Sequence, residues 1–193
     1  MLPQHQNGSQ QNVPDRRHIC IVTETYPPEI NAVALTLAHL VEGLRLQGHT
    51  VSVIRPHQRS GNSSVNNELE TLVRGFPLLG YKGLHLGLPA GAVLQTGWSR
   101  RRPDVGYVAT EGPLGWSATR TARRMKIPVF SGFHTSFDRY SRHYHAGWLR
   151  PLIIRYLRNS HNRTQGTLVA SPDMGDRLTD MGIRITMTNH ATR

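Results

Sequence analysis

Cysteine occurs once in the 193 residues, at Cys20. No disulfide can form within the chain, and so thiol-poor a sequence suits a reducing cytosol. Cys20 lies inside the first apolar run, where a thiol packs as a small hydrophobe. No stretch of about 18 apolar residues is present, which excludes a membrane-crossing helix. The first 17 residues are polar and read as a disordered leader, not a signal peptide. GxGxxG is missing, which argues against a nicotinamide-dinucleotide site. Acidic residues are scarce: 12 Asp and Glu stand against 23 Lys and Arg, for a formal net charge of +11. The excess is uneven, since residues 100–163 hold 13 Lys and Arg against Asp104, Glu111 and Asp138 alone. A field concentrated in that way implies an anionic partner: a phospholipid surface, a nucleotide diphosphate or a nucleic acid. A solvated basic face is the plainer alternative. Nucleic acid ranks last, because no recognition motif or exposed aromatic series accompanies the charge.

What is there is a chain long enough to bury a real core, with 18 Gly and 12 Pro marking many loops. Apolar, β-branched runs at 18–22, 51–54, 105–109, 127–131 and 167–170 read as strands, several without alternation, as when both faces are covered. Helical patterns lie between them. One runs from about 33 to 47, with Val33, Leu37, Leu40, Val41 and Leu44 on one face and Gly48 as its stop. Another runs from Pro113 to Met125, and two more span about 137–145 and 148–165. A last helix is capped by Ser171, with Pro172 at its first position. Residues 58–67 form a polar loop, and 75–90 look irregular. Alternating strands and helices predict an α/β fold, one Rossmann-like, doubly wound parallel sheet.

In such sheets ligands bind beyond the carboxyl ends of the strands. After the first strand come Glu24-Thr25-Tyr26-Pro27-Pro28 and then Asn31, Ala32 and Val33. The N–H groups at that helix start suit a phosphate or sugar; a plain turn capped by Asn31 accounts for the same residues. Glu111-Gly112 follows the strand at 105–109, where a carboxylate could accept from a sugar hydroxyl or serve the next helix start. His134 follows Phe133 at the edge of a probable central strand, and Thr135 and Tyr140 accompany it as substrate-binding candidates. A satisfied structural histidine is the alternative there. His134, Asp138, His143, His145 and His161 match no zinc spacing, so no metal site is expected. Trp148, Arg150, Arg155 and Arg158 fall on a helix that could rest on an anionic bilayer, or equally be a core helix with snorkelling arginines.

HICIVTETYPPEINAV at 18–33, followed by EGPLGW at 111–116, VFSGFHTSFDRY at 129–140 and VASPD at 169–173, resembles the N-terminal half of retaining family-4 glycosyltransferases of the GT-B fold. The likeness is to bacterial α-mannosyltransferases and sulfoquinovosyltransferases, and it covers about residues 18–182. It implies an acceptor-side domain of an enzyme moving a hexose, mannose foremost, from a nucleotide-diphosphate sugar to a lipid or glycan hydroxyl. The nucleotide sugar is then a co-substrate, with no other cofactor and no metal. In the family, the residue matching His134 lies beside the transferred sugar, and a Gly usually stands where Ala32 does.

The family's second domain, which binds the donor nucleotide, is expected to be absent. Residues 183–193 read as a divergent tail without the Gly-Val-Asp linker, as in a truncated frame, so the chain alone is not expected to transfer sugar. The rival expectation is a non-catalytic module docking on an anionic membrane or glycolipid. A cytoplasmic protein, peripheral at the inner face of the plasma membrane, fits either.

Overall fold

The computed structural model describes residues 15–57, 69–77, 85–134 and 150–186. The elements, in chain order, are β1 (His18–Val22), α1 (Ala32–Leu46), β2 (Thr50–Pro56), β3 (Glu70–Val73), β4 (Gly75–Pro77) and β5 (His85–Gly87). There follow α2 (Gly91–Arg100), β6 (Val105–Val108), α3 (Pro113–Arg124), β7 (Val129–Phe133), α4 (Arg150–His161), β8 (Thr167–Val169), α5 (Pro172–Asp180) and β9 (Ile185–Thr186). Seven strands form one sheet in the order β3-β2-β1-β6-β7-β8-β9, and every pairing in it is parallel. This is the doubly wound α/β arrangement that the alternating pattern predicts.

Side chains alternate along β1 and supply both faces. Ile19 and Ile21 join Val51, Val53, Tyr107 and Ala109 beneath Leu37 and Val41 of α1. Cys20 and Val22 join Ile54 and Val108 beneath Leu94 and Trp98 of α2 and Leu114, Ala118 and Ala122 of α3. A third cluster seats Leu157 of α4 and Leu178 of α5 against Phe133 and Ile183. Burial raises the Cys20 thiol pKa, which leaves it an inert core group.

Several boundaries differ from the sequence reading. β7 starts at Val129, not at 127, because Ile127 N–H bonds back to Ala122 O and Pro128 has no N–H for a ladder. α4 ends at His161, four residues early, where Thr164 Oγ1 bonds the His161 carbonyl. Leu40 is 38% exposed, and Ala34 takes the buried place expected of it. Residues 75–90 contain an antiparallel pair, β4 with β5, and lead into α2. Beyond Gly182 the chain adds β9 to the sheet beside β8, so the segment read as divergent begins with a sheet strand. The helix expected at 137–145 and the loop at 58–67 lie outside the described residues.

Candidate active site

The sheet order sets β1, β6 and β7 side by side, so their carboxyl ends span two strand spacings, about 10 Å. The loop after β1, Glu111 and His134 therefore share one edge. Within that edge the groups do different work.

In the loop after β1, Asn31 is the α1 cap. Its Oδ1 accepts from Ala34 N–H at 2.9 Å, and its Nδ2 donates to Thr25 Oγ1 at 2.7 Å. Both ends of the amide are engaged inside the protein, so the capping alternative holds for the side chain. Thr25 Oγ1 in turn donates to Glu29. Ala32 is exposed at the first helical position, and Val33 is half-buried against the α1 face of the sheet.

Glu24, which the sequence reading left without a role, is 3% exposed. Its carboxylate accepts from Leu114 N–H at 3.0 Å and Gly87 N–H at 3.3 Å, and its own N–H donates to Thr110 Oγ1 at 2.9 Å. It thus binds together the loops after β1, β5 and β6 and occupies the α3 start. Burial pushes its pKa up to about 7, opposed by the Leu114, Gly87 and Gly115 N–H groups and reinforced by Glu111. A Cβ on Gly112 would fall 1.9 Å from Glu24 Oε1, so a side chain there would displace the Glu24 carboxylate from its place. Gly112 is the backbone cap of α3 and makes no side-chain capping bond.

Glu111 is not the acid at the α3 start, since Glu24 holds that place. Its Oε1 lies 3.3 Å from His161 Nε2, a close polar contact without hydrogen-bond alignment. His161, weighed in sequence as a metal ligand, is 2% exposed. Its Nδ1 sits 2.9 Å from Ser131 Oγ and 3.3 Å from Thr167 Oγ1. Ser131 also reaches Thr164 and Thr167, each at 3.1 Å. Tyr156 of α4 donates to the Glu111 carbonyl. The Glu–His–Ser order imitates a hydrolase triad, but Ser131 is buried within β7, out of reach of any carbonyl. The chain is a buried strut that joins the Glu111 loop to α4.

His134 stands at the end of β7, half-buried, with Nε2 2.7 Å from the Tyr107 hydroxyl. The two rings meet edge to face, 6.2 Å between centroids. Burial lowers the His134 pKa, with Glu111 opposing, and raises that of Tyr107, so burial favours the neutral form of each ring. Tyr107 is a site residue that sequence reasoning missed, although Gly132 carries its signal: a Cβ there would fall 2.0 Å from the Tyr107 hydroxyl. Thr135, Tyr140 and Trp148, with Asp138, His143 and His145, lie outside the described residues. On α4, Arg150, Arg155 and Arg158 are exposed, with Leu152 57% and Tyr156 44% exposed among them. Among the described residues no three His, Cys, Asp or Glu converge as a metal site, and no helix is long and apolar enough to cross a membrane.

The parallel Rossmann-like sheet, with a histidine and a helix start at one strand edge, fits the architecture of a GT-B glycosyltransferase domain. The chain belongs to Glycosyltransferase Family 4, whose sequence model matches residues 33–188. It is 28% identical over 172 residues to a GDP-mannose-dependent alpha-mannosyltransferase of Corynebacterium glutamicum, covering 86% of this chain and 40% of the relative. It is 25% identical to an alpha-monoglucosyldiacylglycerol synthase of Streptococcus pneumoniae, covering 86% of this chain and 38% of the relative. The chain therefore spans about two fifths of the length of these relatives. Among solved structures, Acinetobacter baumannii MurG superposes with a TM-score of 0.51 at 12% identity, over 81% of this chain and 42% of that one. That last likeness concerns the fold alone.

Proposed function

We propose that this domain is the acceptor side of a retaining hexosyltransferase that moves mannose from a nucleotide-diphosphate sugar to a lipid or glycan hydroxyl. The observation that carries the reading is the shared edge of β1, β6 and β7. There the Tyr107-backed His134 shares the strand edge with the start of α1, and Glu24 and Glu111 brace the loops of that edge. The names of the relatives support the hexosyl class: one is named for GDP-mannose and mannosyl transfer, another for a glucosylated diacylglycerol. In this reading His134 hydrogen-bonds the sugar under transfer, and the N–H groups at Ala32 and Val33 face the polar end of the ligands. The donor diphosphate is held by a second domain, because positioning and leaving-group stabilisation each need groups facing the site from the other side. No metal or further cofactor enters the proposed chemistry.

The test is transfer from labelled nucleotide sugars to a membrane-lipid extract, by a protein in which this chain is followed by a donor-binding domain. Transfer with retained anomeric configuration is expected, falling about a hundredfold in His134→Ala. Inversion of configuration, or transfer indifferent to His134→Ala, overturns the reading.

A second reading, compatible with the first, is that α4 rests on an anionic membrane. The observation favouring it is Leu152 and Tyr156, exposed one helical turn apart between exposed Arg150, Arg155 and Arg158. Apolar groups interleaved with arginines suit the headgroup region. Arg158 lies alongside Gly182, which leaves Arg150 and Arg155 as the freer cations.

A further inference from the structure

We propose that Tyr107 is a positioning residue that holds His134 as the neutral tautomer with its proton on Nδ1, so that the imidazole meets its ligand as a hydrogen-bond donor and not as a base. The inference rests on the glycosyltransferase reading only for the identity of that ligand, an oxygen of the sugar.

The Tyr107 hydroxyl and His134 Nε2 are 2.7 Å apart, and one hydrogen lies between them. Suppose Nε2 carried it and donated to the phenol. The phenolic hydrogen would then need an acceptor of its own, yet His134 is the hydroxyl's sole partner among the described residues. Tyr107 is buried, and a buried donor without an acceptor is expensive. With the phenol donating to Nε2, the hydrogen of the buried phenol has its acceptor, and the hydrogen left over falls on the half-buried imidazole. The remaining imidazole hydrogen then sits on Nδ1, which no described residue engages. Burial of the ring disfavours the doubly protonated imidazolium, which could not accept from the phenol.

The backbone is shaped around this pair. Gly132 lies between the two groups in space, and a Cβ there would fall 2.0 Å from the phenol oxygen and 2.7 Å from Nε2. Tyr107 is carried on β6 and His134 at the end of β7, and those strands are hydrogen-bonded in register at Tyr107↔Phe130. The hydroxyl therefore reaches His134 from a rigid neighbouring strand, the arrangement that fixes a ring nitrogen's role elsewhere in proteins. An Nδ1–H donor suits a sugar hydroxyl oxygen, or a leaving-group oxygen that gains negative charge as its bond to the anomeric carbon breaks. It is ill suited to removing a proton from an acceptor hydroxyl.

The experiment is long-range 1H–15N NMR of the histidine-labelled protein at pH 7.5, with the His134 signals identified by their loss in His134→Gln. The expected result is one Nδ1–H tautomer in the wild type and a shift of Tyr107→Phe towards the Nε2–H tautomer, while far-ultraviolet circular dichroism stays unchanged. An Nε2–H tautomer in the wild type overturns the proposal whatever the variant does. So does a folded Tyr107→Phe that keeps Nδ1–H. A protein in which this chain is followed by a donor-binding domain, showing Nδ1–H but transferring no sugar from any donor, leaves this assignment standing and removes the glycosyltransferase reading, so the two can fail separately.

Discussion

Replacing Glu24 by alanine strips the acceptor from two buried N–H groups, those of Leu114 and Gly87. Each orphaned donor costs about 1–3 kcal/mol, and the space left by the carboxylate adds to that. A loss of roughly 3–5 kcal/mol is expected, a large part of the stability of a domain this size. Glutamine at the same place separates shape from charge. The folded-state pKa of Glu24 is about 7 against an ordinary 4.5, so the native state holds its proton more tightly than the unfolded chain does. Stability from this group is then fully present below pH 4.5 and is lost as pH rises through 7. A gap of that size corresponds to about 3 kcal/mol. Urea unfolding at half-unit steps from pH 5 to pH 8 reads both effects. Glu24→Ala should be destabilised throughout, and Glu24→Gln should flatten the fall in stability between pH 5 and 7.5. If Glu24→Ala costs under about 1 kcal/mol, or the glutamine variant keeps the wild-type slope, Glu24 is not the brace described here.

Two further outcomes follow from other parts of the molecule. Ser131→Ala removes the hydroxyl shared by His161, Thr164 and Thr167 and should cost about 1–3 kcal/mol in chemical unfolding, since His161 Nδ1 keeps only the longer Thr167 contact. For α4, binding to vesicles containing anionic phospholipid should exceed binding to neutral ones, weaken as salt rises, and drop in the double variant Arg150→Gln, Arg155→Gln; equal binding to neutral vesicles would show that charge is not the cause.

Local signals made much of the architecture legible. β-Branched runs placed β1, β2, β6 and β8 nearly to the residue, because strands covered on both faces must be continuously apolar. Asn31 and Ser171 marked helix starts, because a capping side chain reaches only to its own first turn. Elements that depend on partners left weaker traces. α2 reads GAVLQTGWSR, with two glycines and few apolar groups, and is helical because Leu94 and Trp98 bury against the sheet. β3 has its place through Arg55, buried in β2 and paired with Glu70. β9 is two residues added at a sheet edge.

His134 could be found from its place after a strand, and the motifs around it resembled a family to which the chain indeed belongs. The work of the acids could not be found that way. Glu24 and Glu111 each follow a strand and look equivalent in sequence, yet one supports the α3 start and the other faces His161, 50 positions further along. For β1, β2, β6, β7, β8, α1, α3 and α5 the sequence alone determined the type of element and where its polar end would fall, since those depend on residues a few places apart. Tertiary structure alone decided which of those ends are neighbours. β6 lies between β1 and β7, and only that order brings Tyr107 to His134 and Glu24 to Gly112, through contacts between residues far apart in the chain.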